Sequence, residues 1–528
     1  MKLITKILMS AAIGGTILPL MSSCNDFLEV DPATAITEET MFSNVEFAES
    51  NIQSCYKKWR ALFCDRWLWE PMVGTDEIQS GAYQALKEGA GQRGSLDHYN
   101  ALLTADLSPY IDDQWSSRWP AVSEAAKLIN ALESQLTEDG NSKADQLYGE
   151  ACFIRGGLTM ELAFIFGEVP ILDVARTEVL GYGRQPIADV WQFIINDFRN
   201  AAKYCPKKNN PGRATQDAAK MLLAYSLMSA PEETNLRDFS EAADLLEDIY
   251  NGYELTENYA DLFNYETPNT IESLFEWQFD NSNSDANHVQ FQLGSRAAQS
   301  MGTDACYFAG YDHAVPTEWA YSTVEEGGIW EKGDLRKNES IRYDFTWFGQ
   351  TPDLKSVAWE DLGDDHDELK PHIKKYEDFR TDRNSGLGIN NMWNSGKNIP
   401  FLRVGNAVLL YAECLNEIGR QDEALDAVNY VRDRAFGWEM PDELYWEAMS
   451  QDQFREQILT ERVRELFGER WRKFDLIRTG KFVELVKARN KWAAASGTIN
   501  ENHKVWPIPQ SEIDQNEEIN MEDQNPGY

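Results

Sequence analysis

A glycine-rich stretch is the first part of this chain whose spacing matches a known chemical site. Residues 89–94 read GAGQRG, the GxGxxG pattern that holds a dinucleotide pyrophosphate when it joins a buried strand to a helix. The residues before it, IQSGAYQALKE, are polar and offer no apolar strand. We therefore interpret the stretch as a flexible loop and do not expect nucleotide binding.

Other catalytic and metal-binding patterns are absent from the sequence. The six histidines form no HExxH motif and no Cys/His zinc spacing, and no GxSxG nucleophile elbow occurs. The carboxylates from Asp361 to Glu368 could hold a hard cation, but without EF-hand spacing they favour a solvated acidic loop. Paired carboxylates are too common in so acidic a chain to single out a glycosidase pair. We expect no catalytic residues, no cofactor and no metal.

Cys24 is the next residue with a specific chemical use. Two lysines precede an apolar run over residues 7–21, which is too short for a comfortable membrane span. Residues 21–24, Met-Ser-Ser-Cys, resemble a bacterial lipobox, in which the cysteine thiol receives a diacylglyceryl group. We interpret residues 1–23 as a lipoprotein signal peptide, with plain secretion as the alternative, and expect acylated Cys24 to anchor the mature chain.

The composition is strongly acidic. The 528 residues carry a formal charge of −38, and removing residues 1–23 with their two lysines leaves −40. Such a field repels nucleic acid and anionic membrane surfaces, and it disfavours acidic polymers unless a local basic patch overrides it. No segment after residue 23 approaches the apolar length of a membrane span. We therefore expect an exported, tethered chain with no nucleic-acid partner.

Six further cysteines follow Cys24. None forms a CxxC pair, and Cys152 and Cys414 lie on apolar helical patterns, which favours buried thiols. A disulfide between Cys55 and Cys64 stays open, because the sequence alone does not establish it.

Helical periodicity dominates the chain before about residue 265 and after 400. In residues 409–436, Gly419 separates two amphipathic helices, and a similar pair covers 218–228 and 239–250. Such pairs, with small residues at the crossing, resemble tetratricopeptide units, here scattered rather than regularly repeated. Further helices are predicted over residues 46–63, 116–135, 148–167 and 190–205.

Residues 266–400 differ from the rest. They contain scattered Gly and Pro, six of the seventeen Trp residues and no sustained 3.6-residue period. Long irregular segments within a helical protein are usually functional surfaces. The predicted fold is therefore mostly α, with a loop-rich region that binds a ligand.

Residues 461–478, ERVRELFGERWRKFDLIR, are interpreted as structural. Acids and arginines at i, i+3 and i+4 could pair along one helix, while Val463, Leu466 and Phe467 face a core. Arginine guanidinium groups paired with carboxylates are better suited to hold helices together than to take part in catalysis. Pro507 and Pro509 are expected to hold an extended tail against the body.

Several ordered blocks along the chain form a recognisable set. They are CNDFLEVDP at 24–32, FIR and FGEVP between 153 and 170, FLR, LLYAE and NYVRDRA between 401 and 435, the 461–478 segment, and the ending WPIP to QNPGY. The set covers essentially the whole mature chain and resembles the SusD/RagB family of Bacteroidota surface lipoproteins. Gly405-Asn406 departs from the Ala-Glu more usual there, which would alter one hydrogen-bond network.

The resemblance implies a SusD-like fold with tetratricopeptide-like helix pairs. Its parts would be the signal peptide (1–23), an N-terminal helical region (24–265) and a C-terminal region (266–528) containing the irregular segment (266–400) and closing helices. It implies a non-catalytic lipoprotein, exposed on the outer membrane, that captures oligosaccharides and delivers them to a SusC-like TonB-dependent transporter. Two alternatives stay open: a RagB-like oligopeptide binder and a surface glycosidase.

Candidate ligand-binding residues follow from the chemistry of sugars, whose flat C–H faces and hydroxyl rims suit exposed aromatic rings beside amides or carboxylates. The first group comprises Trp67, Trp69, Asp76, Glu77, Tyr99 and Asn100. The second, in the irregular segment, comprises Tyr307, Tyr311, Trp319, Tyr321, Trp330, Trp347 and Trp393. We expect at least half of these rings to pack in the core, as Trp115 and Trp119 should, and Trp319, Tyr321 and Tyr99 are the leading platforms.

Overall fold

The computed structural model describes most of the chain. The described residues are 42–81, 91–107, 109–173, 181–282, 284–295, 310–347, 355–358, 370–381 and 393–528, with the backbone alone for 91–93, 344–347 and 355–358. The predicted signal peptide with Cys24, the acidic stretch from Asp361 to Glu368, Cys306 and Tyr307 lie outside the described residues.

Helices make up most of the described chain, so the prediction of a mostly α fold is confirmed. Those before residue 265 are α1 (Val45–Ala61), α2 (Arg66–Trp69), α3 (Gly91–His98), α4 (Tyr110–Ser116), α5 (Trp119–Leu132), α6 (Lys143–Phe166), α7 (Ile187–Tyr204), α8 (Gln216–Ser229) and α9 (Phe239–Gly252). Those after it are α10 (Val289–Leu293), α11 (Glu318–Tyr321), α12 (Arg336–Ser340), α13 (Val404–Glu417), α14 (Gln421–Ala435), α15 (Gln451–Leu466), α16 (Arg472–Arg478), α17 (Phe482–Arg489), α18 (Lys491–Ser496) and α19 (Gln510–Gln515).

Local capping shifts the helix ends from their predicted positions. Helix α6 begins five residues before the predicted start, because Ser142 and Asp145 form a capping box. Ser142 Oγ accepts a hydrogen bond from Asp145 N at 3.1 Å, and Asp145 Oδ2 accepts one from Ser142 N at 2.7 Å. Almost every later residue of α6 is buried, so this helix forms the centre of the N-terminal region.

The glycine-rich stretch is not a loop throughout. Helix α3 begins at Gly91, within the GxGxxG pattern, so the loop prediction is wrong for residues 91–94. Tertiary contacts hold the helix despite its glycines: Leu96 is buried, and Asp97 accepts hydrogen bonds from Ser80 N and from Asn490 Nδ2. Anchored side chains therefore override the low helix propensity of glycine here.

The amphipathic helices form one continuous stack. Helices α5 to α9 each pack against the next in turn. Helix α9 then packs against α13, and α13 against α14, although the irregular segment separates α9 from α13 in the sequence. The helix pairs that are scattered along the chain are therefore neighbours in space.

Short antiparallel strand pairs organise the irregular segment. The strands are β1 (Ile78–Ser80), β2 (Ser273–Trp277), β3 (Ala314–Pro316), β4 (Ile341–Arg342), β5 (Asp344–Trp347), β6 (Lys355–Ala358), β7 (His372–Ile373) and β8 (Ile399–Arg403). Strand β2 pairs with β8, so the two ends of the segment meet at its base. Strand β1 pairs with β3, with Gln79 opposite Val315, which ties the segment to the N-terminal region.

Residues 461–478 form two helices, so the prediction of one helix is wrong. Helix α15 ends at Leu466, and the turn before α16 places Gly468 and Arg470 in the left-handed region, at φ 69° and 77°. Val463, Leu466 and Phe467 are buried as predicted. Because of this turn, the charged side chains of α15 and α16 bind different partners.

A buried network of arginines and carboxylates joins these helices to the irregular segment. Glu465 accepts hydrogen bonds from Arg403, from Arg434 at 2.6 Å and from Arg336 at 3.1 Å. Burial disfavours the charged form of Glu465, but the three guanidinium groups outweigh it and hold its pKa well below the ordinary value. The bracing role predicted for the arginines of residues 461–478 is confirmed, although most of their partners lie on other elements: Arg470 pairs with Glu161, Arg472 with Asp76 and Arg478 with Glu413. Glu461 belongs to the same network, as the ion partner of Arg336, Arg432 and Arg464.

Gly405 lies against this network. Its N–H donates to Glu272 Oε1 at 3.0 Å, and a Cβ there would lie 2.6 to 2.7 Å from atoms of Glu465, Arg403 and Glu272. Next to it, Asn406 Oδ1 accepts from Arg462 Nη1 at 2.9 Å. The Gly-Asn pair thus allows close packing of the charged groups.

The C-terminal tail packs against the helical body, as the two prolines predict. Trp506 N donates to Ile165 O at 2.7 Å, and Gln510 N donates to Ala105 O at 3.0 Å, on either side of Pro507 and Pro509. Asn525 Nδ2 reaches back to Phe166 O at 2.8 Å.

Cys55 and Cys64 are both free thiols, so the disulfide left open by the sequence is not formed. Cys55, Cys152 and Cys414 are buried, as predicted, and burial raises the pKa of Cys64 to about 11.

Within the described ranges, no helix combines the length and apolar character that crossing a bilayer requires.

Candidate functional site

Three of the predicted aromatic platforms are buried. Trp69 and Tyr99 are each 1% exposed, and Trp330 is fully enclosed. The Tyr99 hydroxyl donates to Gly74 O, and Trp330 Nε1 donates to Ala320 O at 2.8 Å. The prediction that these rings form an exposed surface is wrong, because their large apolar area is buried in the core and the polar atoms of Tyr99 and Trp330 are bonded there.

The carboxylate of Asp76 is also enclosed. It accepts hydrogen bonds from Arg472 Nε and Nη2, each at 2.7 Å, and from Arg489 Nη1 at 2.9 Å. Burial opposes its ionisation, but the two guanidinium groups lower the pKa of Asp76 below its ordinary value. The neighbouring Glu77 is buried and accepts from Gly468 N at 2.7 Å, and burial raises its pKa to about 8. Both carboxylates have structural partners instead of facing a ligand, which corrects their predicted role.

The remaining first-group residues are less enclosed. Trp67 is partly buried, with the Arg66 guanidinium 5.3 Å from its ring centroid. Asn100 Oδ1 accepts from Leu102 N at 3.0 Å, which closes a turn. Trp347, from the second group, is described only in its backbone, in β5. Ligand binding by these three residues stays a prediction.

Trp115 and Trp119 lie together near the C-terminal tail. Trp115 is buried as predicted, and its Nε1 donates to Glu512 Oε2 at 3.0 Å. Trp119 is partly buried, edge-on to Trp115 at 5.4 Å.

Trp319 and Tyr321 lie on the short helix α11 and are partly exposed. The Arg489 guanidinium carbon is 3.8 Å from the Trp319 ring centroid, and that of Arg472 is 5.7 Å away. A close guanidinium thus covers the ring that was the leading platform, and Trp319 supports Arg489 instead. Tyr321 lines a cavity of about 250 Å³ beside it.

Four other rings form a partly exposed aromatic cluster, defined as His288, Phe291, Tyr311 and Trp393. Phe291 lies 5.0 Å from Tyr311 and 5.1 Å from Trp393, both at steep interplanar angles. His288 stacks on Trp393 at 5.1 Å with an angle of 26°. Ring faces and edges therefore point in several directions within one small area, an arrangement suited to curved ligands with flat C–H faces.

The aromatic cluster rests on a second layer of rings. His313 stacks under Tyr311 at 5.3 Å with an interplanar angle of 13°, and Trp69 lies 5.0 Å from His313. The buried Trp69 therefore supports the cluster, although it does not form a surface itself.

Backbone hydrogen bonds fix the segments that carry the cluster. Tyr311 N donates to Phe291 O at 3.0 Å, and His288 Nδ1 lies 2.7 Å from Trp393 O. Gly310 permits the close approach, because a Cβ there would lie 2.2 Å from Phe291 O. Helix α10, the chain before β3 and the chain before β8 thus meet at one place, which the sequence pattern alone does not indicate.

Comparisons with known proteins identify the family. The family model described as "SusD family" matches residues 225–528, and the model described as "Starch-binding associating with outer membrane" matches residues 73–226. The first match covers more than half of the chain. The chain belongs to the SusD family.

Similar proteins match nearly the whole length of the chain. SusD-like protein P2 of Formosa agariphila is 24% identical over 97% of this chain and 98% of its own length. A SusD homolog from Bacteroides thetaiotaomicron superposes with a TM-score of 0.74 at 20% identity, over 94% of this chain and 99% of that one. A surface glycan-binding protein A from the same species, solved in complex with laminarihexaose, superposes with a TM-score of 0.69 at 17% identity, over 91% and 99% of the two chains.

In this SusD-family chain several residues around the site are not predicted by the sequence patterns. His288 and Phe291 lie in or beside the short helix α10, whose sequence has no distinctive pattern. Arg489 lies in a run of the sequence that is unusually basic for so acidic a chain. Residues 481–491 contain three lysines and Arg489 but only one acidic residue. Charge patterning along that run could have identified it.

Proposed function

We propose that this protein is a non-catalytic glycan-binding lipoprotein of the outer-membrane surface, which captures oligosaccharides at the aromatic cluster. The observation that carries the proposal is the group of partly exposed rings formed by His288, Phe291, Tyr311 and Trp393 over the layer of His313 and Trp69. Sugar rings stack their C–H faces on such surfaces and leave their hydroxyl groups to surrounding polar side chains.

Polar groups lie beside these rings. Gln290, next to Phe291 in α10, donates through Nε2 to Thr381 Oγ1 at 2.7 Å, and its Oε1 accepts from Asp378 N at 2.7 Å. An amide fixed in this way can exchange or share hydrogen bonds with sugar hydroxyl groups without first being ordered.

Two comparisons support a saccharide as the ligand. One family description names starch binding and association with the outer membrane, and the structural neighbour with laminarihexaose carries a glucan oligosaccharide. Both concern proteins of the same fold, and neither description names a catalytic activity.

Isothermal titration calorimetry with a glycan panel and an oligopeptide panel tests the proposal. Binding of at least one saccharide, without release of shortened products over hours, is the expected result. Binding of peptides alone would favour the oligopeptide alternative, and product release from a bound polysaccharide would overturn the non-catalytic assignment.

We further propose that the protein delivers its ligand to a SusC-like TonB-dependent transporter and is anchored through Cys24. Substitution of Cys24 by Ala should release the protein from outer membranes while leaving saccharide affinity unchanged. Affinity purification from solubilised membranes should recover the transporter with the wild-type chain. Loss of membrane attachment and ligand binding together would contradict this division between anchor and site.

A further inference from the structure

The overall charge of the protein disfavours one class of saccharides. A formal charge of −38 repels sugars that carry carboxylate or sulfate groups, within roughly a Debye length of about 8 Å at physiological salt. Such ligands bind only where a local excess of positive charge overrides the field. The surroundings of Arg489 provide one.

Two guanidinium groups share one carboxylate at this position. Arg472 engages both oxygens of Asp76, at 2.7 Å each, whereas Arg489 donates one hydrogen bond, from Nη1 to Asp76 Oδ2 at 2.9 Å. A guanidinium has five N–H donors, and among the described residues no second acceptor receives one from Arg489. The trio of Asp76, Arg472 and Arg489 therefore retains one net positive charge and several available donors.

The guanidinium of Arg489 is fixed before any ligand arrives. Its carbon lies 3.8 Å from the Trp319 ring centroid, and the side chain remains 26% exposed. Stacking on Trp319 and the hydrogen bond to Asp76 fix the orientation of the guanidinium plane. A carboxylate or sulfate can therefore bind in a bidentate manner with little loss of side-chain freedom.

Arg489 lines the cavity of about 250 Å³ that also contains Tyr321, and a second cavity of about 510 Å³ lies on its other side. The charged groups around the smaller cavity are the cations Lys370, Arg489 and Lys491, the acids Asp312 and Glu318, and His372. Positive groups thus exceed negative ones in a chain where acids outnumber bases by 87 to 49.

We propose that the smaller cavity binds the anionic group of an acidic oligosaccharide, with Arg489 as the principal contact and Lys370 and Lys491 as further cationic contacts. The group is a uronate carboxylate or a sulfate ester, which share the same recognition chemistry. This inference rests on the proposed glycan-binding function and names the ligand class within it. Trp319 then acts as a positioning residue for Arg489.

Calorimetry on the mature chain tests this proposal with two matched pairs of probes. One pair is an oligouronate and its carboxyl-reduced counterpart, and the other is a sulfated galactan oligosaccharide and its desulfated counterpart. One acidic probe should bind about ten- to hundredfold more tightly than its neutral counterpart, the range expected for a charged hydrogen bond. The pair that shows the difference identifies the source of the anionic group.

The variant Arg489→Gln should abolish this advantage and leave the affinity for the neutral probe unchanged. Arg199→Gln is the matched control, because it removes one positive charge from an exposed pair with Glu241 elsewhere on the protein. If Arg489→Gln does not fold, the double variant Lys370→Gln, Lys491→Gln decides the question, since both lysines line the same cavity.

Three outcomes would overturn the inference: equal binding of acidic and neutral probes, an undiminished acidic advantage in the folded Arg489→Gln variant, or an undiminished advantage in the lysine double variant. Binding of neutral saccharides alone would overturn it and leave the proposed function intact. Failure of every saccharide, with binding of oligopeptides, would reject both.

Discussion

The helical scaffold and the ligand-facing surface use charged residues in opposite ways. In the scaffold, Arg403 is 1% exposed and donates to the carboxylates of Glu272, Glu465 and Glu469, so its charge is fully compensated. At the surface, Arg489 has one hydrogen bond to a carboxylate already held by Arg472. The first arrangement braces helices, whereas the second leaves donors for a ligand.

The same contrast applies to aromatic rings. Trp330 is enclosed with its indole N–H bonded to Ala320 O, whereas Tyr311 and Trp393 stay partly exposed. Enclosed side chains indicate scaffold, whereas side chains that are held in place but remain partly exposed indicate a binding surface.

Substitution of Arg403 by Gln should lower the free energy of unfolding by about 3–5 kcal/mol, because it removes a cation that the three buried carboxylates of Glu272, Glu465 and Glu469 share. Chemical denaturation followed by circular dichroism measures the change. The exposed Arg199→Gln should cost less than about 1 kcal/mol. Equal losses in the two variants would contradict the scaffold role of the network.

Lys473 tests a buried charge that pairs with no carboxylate among the described residues. Burial lowers its pKa to about 7, and its Nζ lies 4.6 Å from the Trp506 ring centroid. Between about pH 7 and 10.5 the unfolded chain therefore holds this proton more tightly than the folded protein, and stability rises with pH across that window. Lys473→Met should raise the free energy of unfolding at pH 7 by about 2 kcal/mol and remove this part of the pH dependence.

Unfolding measured at pH 7, 8.5 and 10 on both proteins checks this expectation. The advantage of Lys473→Met should shrink as the pH rises. A difference between the two proteins that is constant over this range would show that the Lys473 proton is not linked to folding.

Substitution of Trp319 tests the ligand-facing surface, where the expected change in affinity is smaller. Trp319→Ala should weaken binding of the acidic probe by about fivefold, because the Arg489 guanidinium loses the ring that holds its plane. Trp319→Phe, which keeps a ring, should restore most of the affinity. If Trp319→Ala lowers neutral and acidic binding equally, then Trp319 contacts the sugar itself and the positioning role is wrong.

The sequence predicts the scaffold much better than the site. Apolar periodicity located α5 to α9, α13 and α14, and the ordered blocks identified the family, because both depend on local spacing. It did not show that Tyr99 and Trp330 are buried, since burial depends on long-range contacts such as the bond from Tyr99 to Gly74 O. Nor did it bring Phe291, Tyr311 and Trp393 together, because turns without periodic patterns unite them.

The most direct test of the central claim measures saccharide affinity and stability together in Tyr311→Ala and Trp393→Ala. The matched control is Tyr445→Ala, which removes an exposed ring (37%) outside the aromatic cluster. Calorimetry with a saccharide that binds the wild type should show a loss of about tenfold or more in both cluster variants and none in the control, with all variants still folded. Unchanged affinity in both folded cluster variants would contradict the assignment of the aromatic cluster as the glycan-binding surface.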